Sequence, residues 1–492
     1  WRRACAEFAQ SWIEKQSEQF QRLGILAEWD NPYTTMSPDY ESAVVKQFLH
    51  HFQKGHIYQD VKPVLWSVVE GTALAEAEVE YQTITSPSLY VALPLENYSF
   101  SKPVSLVIWT TTPWTLPSNQ AVCYHRDLDY VLIEVTEVLS NSRVSHGQHL
   151  MVSASLLESF CQETQIASYT VHQTIAGHDL KDSQALHPLS EHGFGPKVPL
   201  LHADHVSSEK GTGFVHTAPS HGLEDFFVGK EHNLPHAQLV DDGGVFENSV
   251  PLVGGQHIFK VSELIQQALG VRLLAMQPYE HSYPHSWRSK TPLIYRTTPQ
   301  WFMNLDLEQN PLRKQALQAL EDVKFFPASS RKRIEDMIKQ RPDWCLSRQR
   351  SWGIPLPLLV HKATKKPLDD PKIHEKVIQL FREKGSQAWF DDGCIEGIFS
   401  ASDYDAADYV PVRDILDVWF ESGSSYQALF PDLRQPVDFY VEGSDQHRGW
   451  FQSSLIIGAS NQGYAPYKNL FTHGFVLSEA GSKLSKSQSP TL

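Results

Sequence analysis

This sequence predicts an α/β body interrupted by a β-rich insertion, and three observations carry that prediction. In the first 60 positions apolar residues recur at three- and four-residue spacing, as amphipathic helices require. From about residue 75 to about residue 260, short β-branched or aromatic runs alternate with Pro, Gly, Asn and Ser turns. After about residue 280, strand and helix patterns alternate again.

Taken in order, Phe8, Trp12, Ile13, Phe20 and Leu23 predict a first helix, with Gly24 as its stop. Pro38 suits the first turn of a second, whose apolar positions Val44, Val45, Phe48 and Leu49 lead to a stop at Gly55. Residues 88–93 and 104–110 read as strands, and 261–269 as a short helix leaving the β-rich part. Residues 312–320 and 330–339 are helical, the latter with Ser329 or Ser330 as N-cap. A strand at 437–441 feeds a helix at 446–460. No internal repeat or low-complexity tract occurs, and the divisions fall at 1–75, 76–275 and 276–492.

Composition narrows the classes. The chain has 492 residues, 41% of them apolar and 20% charged, which excludes a disordered or collagen-like protein. With 42 Lys+Arg against 57 Asp+Glu its net charge is −15, which argues against non-specific coating of nucleic acid but leaves room for a local grip on RNA. No run approaches the roughly 18 apolar residues of a membrane span, so no membrane partner is expected. Five dispersed cysteines fit a reducing compartment better than a disulfide framework, and no CxxC pair points to zinc. The start at Trp1-Arg2-Arg3 reads as the end of a fragment.

Three constellations could carry chemistry. In the first, the strand at 437–441 runs into Glu442-Gly443-Ser444-Asp445-Gln446-His447-Arg448-Gly449-Trp450. Ligands of open parallel sheets sit beyond strand carboxyl ends, where a glycine admits close approach and carboxylates hold hydroxyls. The same loop could serve only to cap a helix. The second is Lys483-Leu484-Ser485-Lys486-Ser487, whose two lysines suit charge on a polyphosphate or simply form a solvated basic loop. In the third, Thr110-Thr111-Thr112-Pro113-Trp114-Thr115 with Ser118 and Asn119 ends a strand in hydroxyls and an amide. About a hundred residues later a glycine-rich stretch supplies His216, His221 and Asp225.

In order and spacing, WTTTPWTLPSN, GTGFVHTAPSHGLEDF, RPDWCLSRQRSWGIPLP, DVWFESGSS, EGSDQHRGWF and KLSKS resemble the class I isoleucyl-tRNA synthetases over essentially the whole chain. KPVLWS followed by TALAEAEVEY is similar to the bacterial and organellar type. The resemblance implies a Rossmann-type nucleotide-binding body interrupted by a β-rich editing (connective peptide) domain. It implies ATP-dependent activation of isoleucine, with Mg2+, and transfer to tRNA(Ile), by a monomer in the mitochondrial matrix or, as the alternative, the bacterial cytoplasm.

By that resemblance Glu442, Gly443 and Asp445 hold the adenosine moiety, with His473 and Gly474 beside the nucleotide. Gln446 receives the amino-acid ammonium, and Trp419 and Trp450 wall the side-chain pocket. Lys483, Ser485 and Lys486 attend the phosphates, the lysines stabilising them as pyrophosphate leaves. An apolar pocket discriminates weakly against an amino acid one methylene smaller, so the insertion is expected to hydrolyse mischarged valyl-tRNA. There Asp225 grips the ammonium, while Thr110, Thr111, Thr112, Asn119 and His216 line the pocket and orient the tRNA end and water.

The chain departs from the family pattern in places. The His-x-Gly-His signature is absent and would lie upstream of Trp1, and the helical anticodon-binding domain would follow residue 492. The expectation is a fragment that does not make isoleucyl-adenylate alone. Leu484 stands where methionine is usual, and Gln488-Ser489-Pro490 where Gly-Asn is commoner. Positions that carry two CxxC pairs in some relatives are Ser67, Glu70, Ser286 and Ser289, so no zinc is expected. The alternative reading, a stand-alone editing or tRNA-binding protein that has lost synthesis, would have no need of EGSDQHRGWF and KLSKS. A valine-specific enzyme fits neither WTTTPWT nor the two pocket tryptophans.

Overall fold

A computed structural model describes residues 1–96, 100–235, 238–400, 402–431, 435–477, 479, 481 and 484. They form two compact units. One comprises Trp1–Asp60, Ala75–Ala77 and Gln300–Leu492, and the other Val61–Leu74 and Glu78–Pro299. The β-rich unit therefore extends beyond both expected limits, 76 and 275. On the C-terminal side part of that extension comes from one long antiparallel pair, in which Val79–Pro94 runs beside Leu273–Ser286.

In the first unit the expected helices form at Arg2–Arg22, Pro38–Gln53, Leu312–Ala319 and Ser330–Gln340. Ser37 caps the second, its side chain accepting from the Tyr40 amide at 3.3 Å, and Pro38 begins the helix where its missing N–H costs nothing. Neither Ser329 nor Ser330 caps its helix; the Ser330 hydroxyl instead donates to the Pro327 carbonyl at 2.8 Å. A parallel sheet runs in the order Lys324–Phe326, Tyr467–His473, Val437–Gly443. Its last strand leads into a 3-10 turn, Ser444–His447, and then the buried helix Trp450–Gln462. The single helix expected over 446–460 thus starts later, because Gly449 takes a non-helical conformation (φ −105°, ψ −117°) between turn and helix. Val44, Phe48, Phe420, Leu455 and Ile456 are fully buried in this unit's core.

The β-rich unit contains a six-stranded sheet in the order Leu273–Ser286, Val79–Pro94, Val104–Thr110, His149–Ser153, Asp129–Val138, Ile166–Ala176. A four-stranded sheet follows the order Val215–Thr217, Ala121–Tyr124, Lys197–His202, Gln184–Leu186. Val107, Ile133, Val135, Leu150 and Phe160 make a dry core against the large sheet. Gly213, at φ +81°, joins the motif loop to that sheet: an added Cβ would lie 2.4 Å from Ser153 Cβ. Its carbonyl accepts from the Tyr130 hydroxyl at 2.8 Å.

Candidate functional site

Within the β-rich unit the two expected motifs come together. Thr110 ends its strand, and the Thr112 amide donates to its hydroxyl at 3.0 Å, turning the chain into the 3-10 helix Pro113–Ser118. His216 sits on the short strand Val215–Thr217, opposite Val122. Its Nε2 lies 3.0 Å from Thr115 Oγ1 and its Nδ1 2.6 Å from Asn119 Nδ2.

That pairing fixes the tautomer. The Asn119 amide also donates to the Ala121 carbonyl at 3.0 Å, so its nitrogen faces His216 and Nδ1 must accept. Nε2 therefore carries the proton and donates to Thr115, which passes its own to the Thr112 carbonyl at 2.9 Å. Burial, with His187 and His221 nearby, pushes the His216 pKa down to about 3 and keeps the ring neutral. With both nitrogens engaged, His216 orients its surroundings and has no free lone pair for use as a base. His221 is wired alike, at 3.0 Å from the Tyr295 carbonyl and 3.1 Å from Ser118 Oγ.

Asp225 lies in the first turn of the helix Leu223–Glu231, where acids are favoured. Its Oδ2 accepts from the Ala218 amide at 2.7 Å. Desolvation raises its pKa to about 6, against the opposing effect of that amide bond. At neutral pH it is a half-buried carboxylate with one oxygen anchored and the other available. Thr111 and Thr112 are half-buried, and no side-chain hydrogen bond engages their hydroxyls among the described residues. An anchored anion in one constellation with such hydroxyls suits a ligand with an ammonium and several hydroxyl groups.

The other unit gathers a second group. Register pairs Glu442 with Thr472 and Gly443 with His473, so both parallel strands deliver their carboxyl ends to one place. Glu442, Asp445, His473 and Gly474 are exposed there, Gly443 is buried and Gln446 half-buried. A Cβ on Gly443 would approach Asp445 Oδ1 to 2.9 Å, and one on Gly449 would meet the Trp419 ring at 2.7 Å. Gln446 Oε1 accepts from the Trp450 amide at 3.0 Å, a cap on the following helix. Trp450 stacks on Tyr440 at 4.0 Å and donates from Nε1 to the Ser422 carbonyl and Ser425 Oγ, at 3.1 and 3.2 Å. Lys483, Ser485 and Lys486 lie outside the described residues.

Beneath Trp419 is a network that sequence reasoning missed. Buried Asp417 accepts from Trp344 Nε1 at 2.7 Å, pairs with Arg348 at 3.1 Å, and takes the Trp419 amide on its other oxygen at 3.1 Å. Asp417 and Arg348 stand in DVWFESGSS and RPDWCLSRQRSWGIPLP, so the motifs flagged them without giving them a role. Ser67, Glu70, Ser286 and Ser289 also cluster. Ser286 Oγ donates to Glu70 Oε1, while Ser67 Oγ takes the Glu70 amide at 3.1 Å and Ser286 Oγ the Ser289 amide at 3.4 Å. Three hydroxyls and a carboxylate thus occupy the positions where thiolates would be needed.

Comparison with known proteins gives the family. The family described as tRNA synthetases class I (I, L, M and V) matches residues 1–491. An isoleucine–tRNA ligase of Pelagibacter ubique is 43% identical, covering 99% of this chain and 54% of its own length. One from Gluconobacter oxydans is 42% identical, covering 99% and 52%. The chain spans about half the length of the curated relatives it matches. Among solved structures, a ternary complex of Agrobacterium radiobacter LeuRS with tRNA and LeuAMS aligns with TM-score 0.40 at 18% identity, over 98% of this chain and 57% of that one.

Proposed function

The chain belongs to the class I tRNA synthetases of the I, L, M and V group, and we propose that it is part of an isoleucine–tRNA ligase whose β-rich unit edits mischarged valyl-tRNA(Ile). On this reading the strand ends bearing Glu442, Gly443 and Asp445 receive ATP, with Mg2+. Gln446, Trp419 and Trp450 receive isoleucine, and Lys483, Ser485 and Lys486 attend the phosphates.

One observation carries the editing assignment: Asp225 is held by a single amide, its other oxygen left to a ligand in the constellation that also holds the unengaged hydroxyls of Thr111 and Thr112. The α-ammonium of an aminoacyl ester takes that oxygen. The threonines and the immobile His216–Thr115–Asn119 group then define where the terminal ribose and an attacking water can sit. Catalysis here is positioning, and no side chain forms a covalent bond with substrate.

The test is deacylation of valyl-tRNA(Ile) and isoleucyl-tRNA(Ile), with Asp225→Ala as the comparison. The expected result is preferential hydrolysis of the valyl ester, lost by about 100-fold or more in the variant, the scale of a removed positioning charge. Equal rates on both esters, or full activity in Asp225→Ala, overturns the assignment.

A further inference from the structure

Away from that site, three strands of the six-stranded sheet bring two histidines and a carboxylate together. Glu134 and His149 are direct register partners on adjacent strands. On the other flank the register passes from Leu132 opposite Gln173 to Ile133 opposite Val171, leaving His172 as the extra residue of a β-bulge. Bulges re-aim side chains and are kept where a local geometry is needed. Here the edge strand Ile166–Ala176 turns His172 Nε2 to within 2.8 Å of Glu134 Oε2, while His149 Nε2 stands 3.7 Å from the same oxygen. One ligand atom from each residue lies within 4.8 Å of the other two.

We propose that Glu134, His149 and His172 form a binding site for one divalent transition-metal ion, with zinc as the best match. Two imidazoles and a carboxylate, with a further position left to water, are a recurrent donor set for this ion. Tetrahedral zinc with bonds of about 2.0–2.1 Å sets neighbouring donors about 3.3 Å apart. The separations of 2.8 and 3.7 Å bracket that value, so small side-chain rotations suffice.

The surroundings are those of a ligand set. Lys102 Nζ holds the other carboxylate oxygen, Oε1, at 3.1 Å, which leaves Oε2 to the histidines. Carboxylate ligands are commonly fixed in this way by an outer partner. The His149 side chain is 3% exposed and His172 33%, giving one anchored ligand and one on the solvent side through which an ion can enter. Phe100 covers both rings, with centroids 5.5 and 5.7 Å away, and lowers the local dielectric. Without an ion His172 Nε2–H donates to Glu134 Oε2 at 2.8 Å, and a bound metal would take the place of that proton, while Lys102 stays on the other oxygen. The site is independent of the editing assignment and departs from the expectation of no metal, which rested on Ser67, Glu70, Ser286 and Ser289. Bound there, the ion would pin the bulged edge strand to the next two strands in the sheet order.

The test strips the chain with EDTA, then measures zinc by equilibrium dialysis and follows Co2+ by its visible d–d bands. Wild type is expected to take up one zinc sensitive to these residues and to show intense bands of four- or five-coordinate cobalt. His172→Gln and Glu134→Gln, each with an unchanged circular dichroism spectrum, are expected to bind about tenfold or more weakly. Zinc should raise the melting temperature of wild type and not of His172→Gln. No zinc uptake by wild type, or uptake and melting shift equal in wild type and both variants, overturns the proposal.

Discussion

The two site-bearing regions of this molecule follow opposite plans. In the β-rich unit the polar atoms are committed before any ligand arrives: both nitrogens of His216, both of His221 and one oxygen of Asp225 have partners. Beside the parallel strands Glu442, Asp445 and His473 stand exposed to solvent, with Glu442 taking the Gly443 amide at 3.1 Å and His473 Nδ1 2.7 Å from the Gly474 carbonyl. The strands there leave Phe439, Val441 and Phe471 61%, 51% and 46% exposed. On one side the Tyr440–Trp450 stack supports these strands. Precision comes from internal wiring in one region and from an aromatic foundation in the other.

Removing that foundation should have the largest effect. Trp450→Ala deletes the stack and two hydrogen bonds and is expected to cost about 3 kcal/mol, towards the lower end for a tryptophan that is only partly buried. Urea unfolding should show the transition of the parallel-sheet unit moving to lower denaturant while that of the β-rich unit stays put. Equal shifts in both transitions would mean the two regions are not built separately.

Gly213→Ala strikes the other plan at its joint. The new methyl would meet Ser153 Cβ at a positive φ, at a cost of about 2–3 kcal/mol confined to the β-rich unit. Gly147→Ala, also at positive φ but with nothing within 4 Å, should cost only about 1 kcal/mol. If the two variants melt alike, the loop is not locked to the sheet as described.

A smaller effect separates committed hydroxyls from available ones. Thr115→Val strands the buried Nε2–H of His216 and should cost about 1–2 kcal/mol. Thr111→Val, whose hydroxyl holds nothing among the described residues, should leave stability within about 0.5 kcal/mol and slow deacylation instead. Reversal of that pattern would exchange the roles assigned to the two threonines.

Much of this organisation could be read from the chain, and the exceptions have physical causes. The strand over residues 104–110 and the helices at Pro38–Gln53 and Ser262–Leu269 were legible because periodicity and punctuation act locally. The end of the strand at Gly443 was less so: a continuous helix from Gln446 satisfies the spacing, but Gly449 breaks it and gives Gln446 its capping place. Residue types singled out the threonine motif and the His216 motif, yet the wiring of His216 to Thr115 joins residues about a hundred positions apart. No local pattern says which of several nearby hydroxyls the imidazole will choose. The triad of Glu134, His149 and His172 was invisible for the same reason, since it depends on a register shift that only the folded sheet defines.

The smallest expected effect sharpens the comparison most, because it separates anchoring from ionisation at Asp225. Its carboxyl has a folded pKa near 6 against an ordinary value of 3.8, so the native state holds the proton more tightly than the unfolded chain does. The associated stability is present below about pH 4 and is lost as pH rises through about 6, the reverse of an ion-paired acid. Asp225→Asn keeps an oxygen for the Ala218 amide but cannot ionise. It should match wild type in acid and exceed it above pH 6 by about 1 kcal/mol. Each tenfold gain in proton affinity is worth roughly 1.4 kcal/mol, and the partial solvation of the group reduces what the fold feels of it. Deacylation should move in the opposite direction. Wild type loses activity as pH falls through about 6 and the carboxylate takes up its proton, while Asp225→Asn stays slow throughout. A variant both more stable and inactive at neutral pH would show that this carboxylate is kept charged against the preference of the fold, for the sake of the ligand it meets.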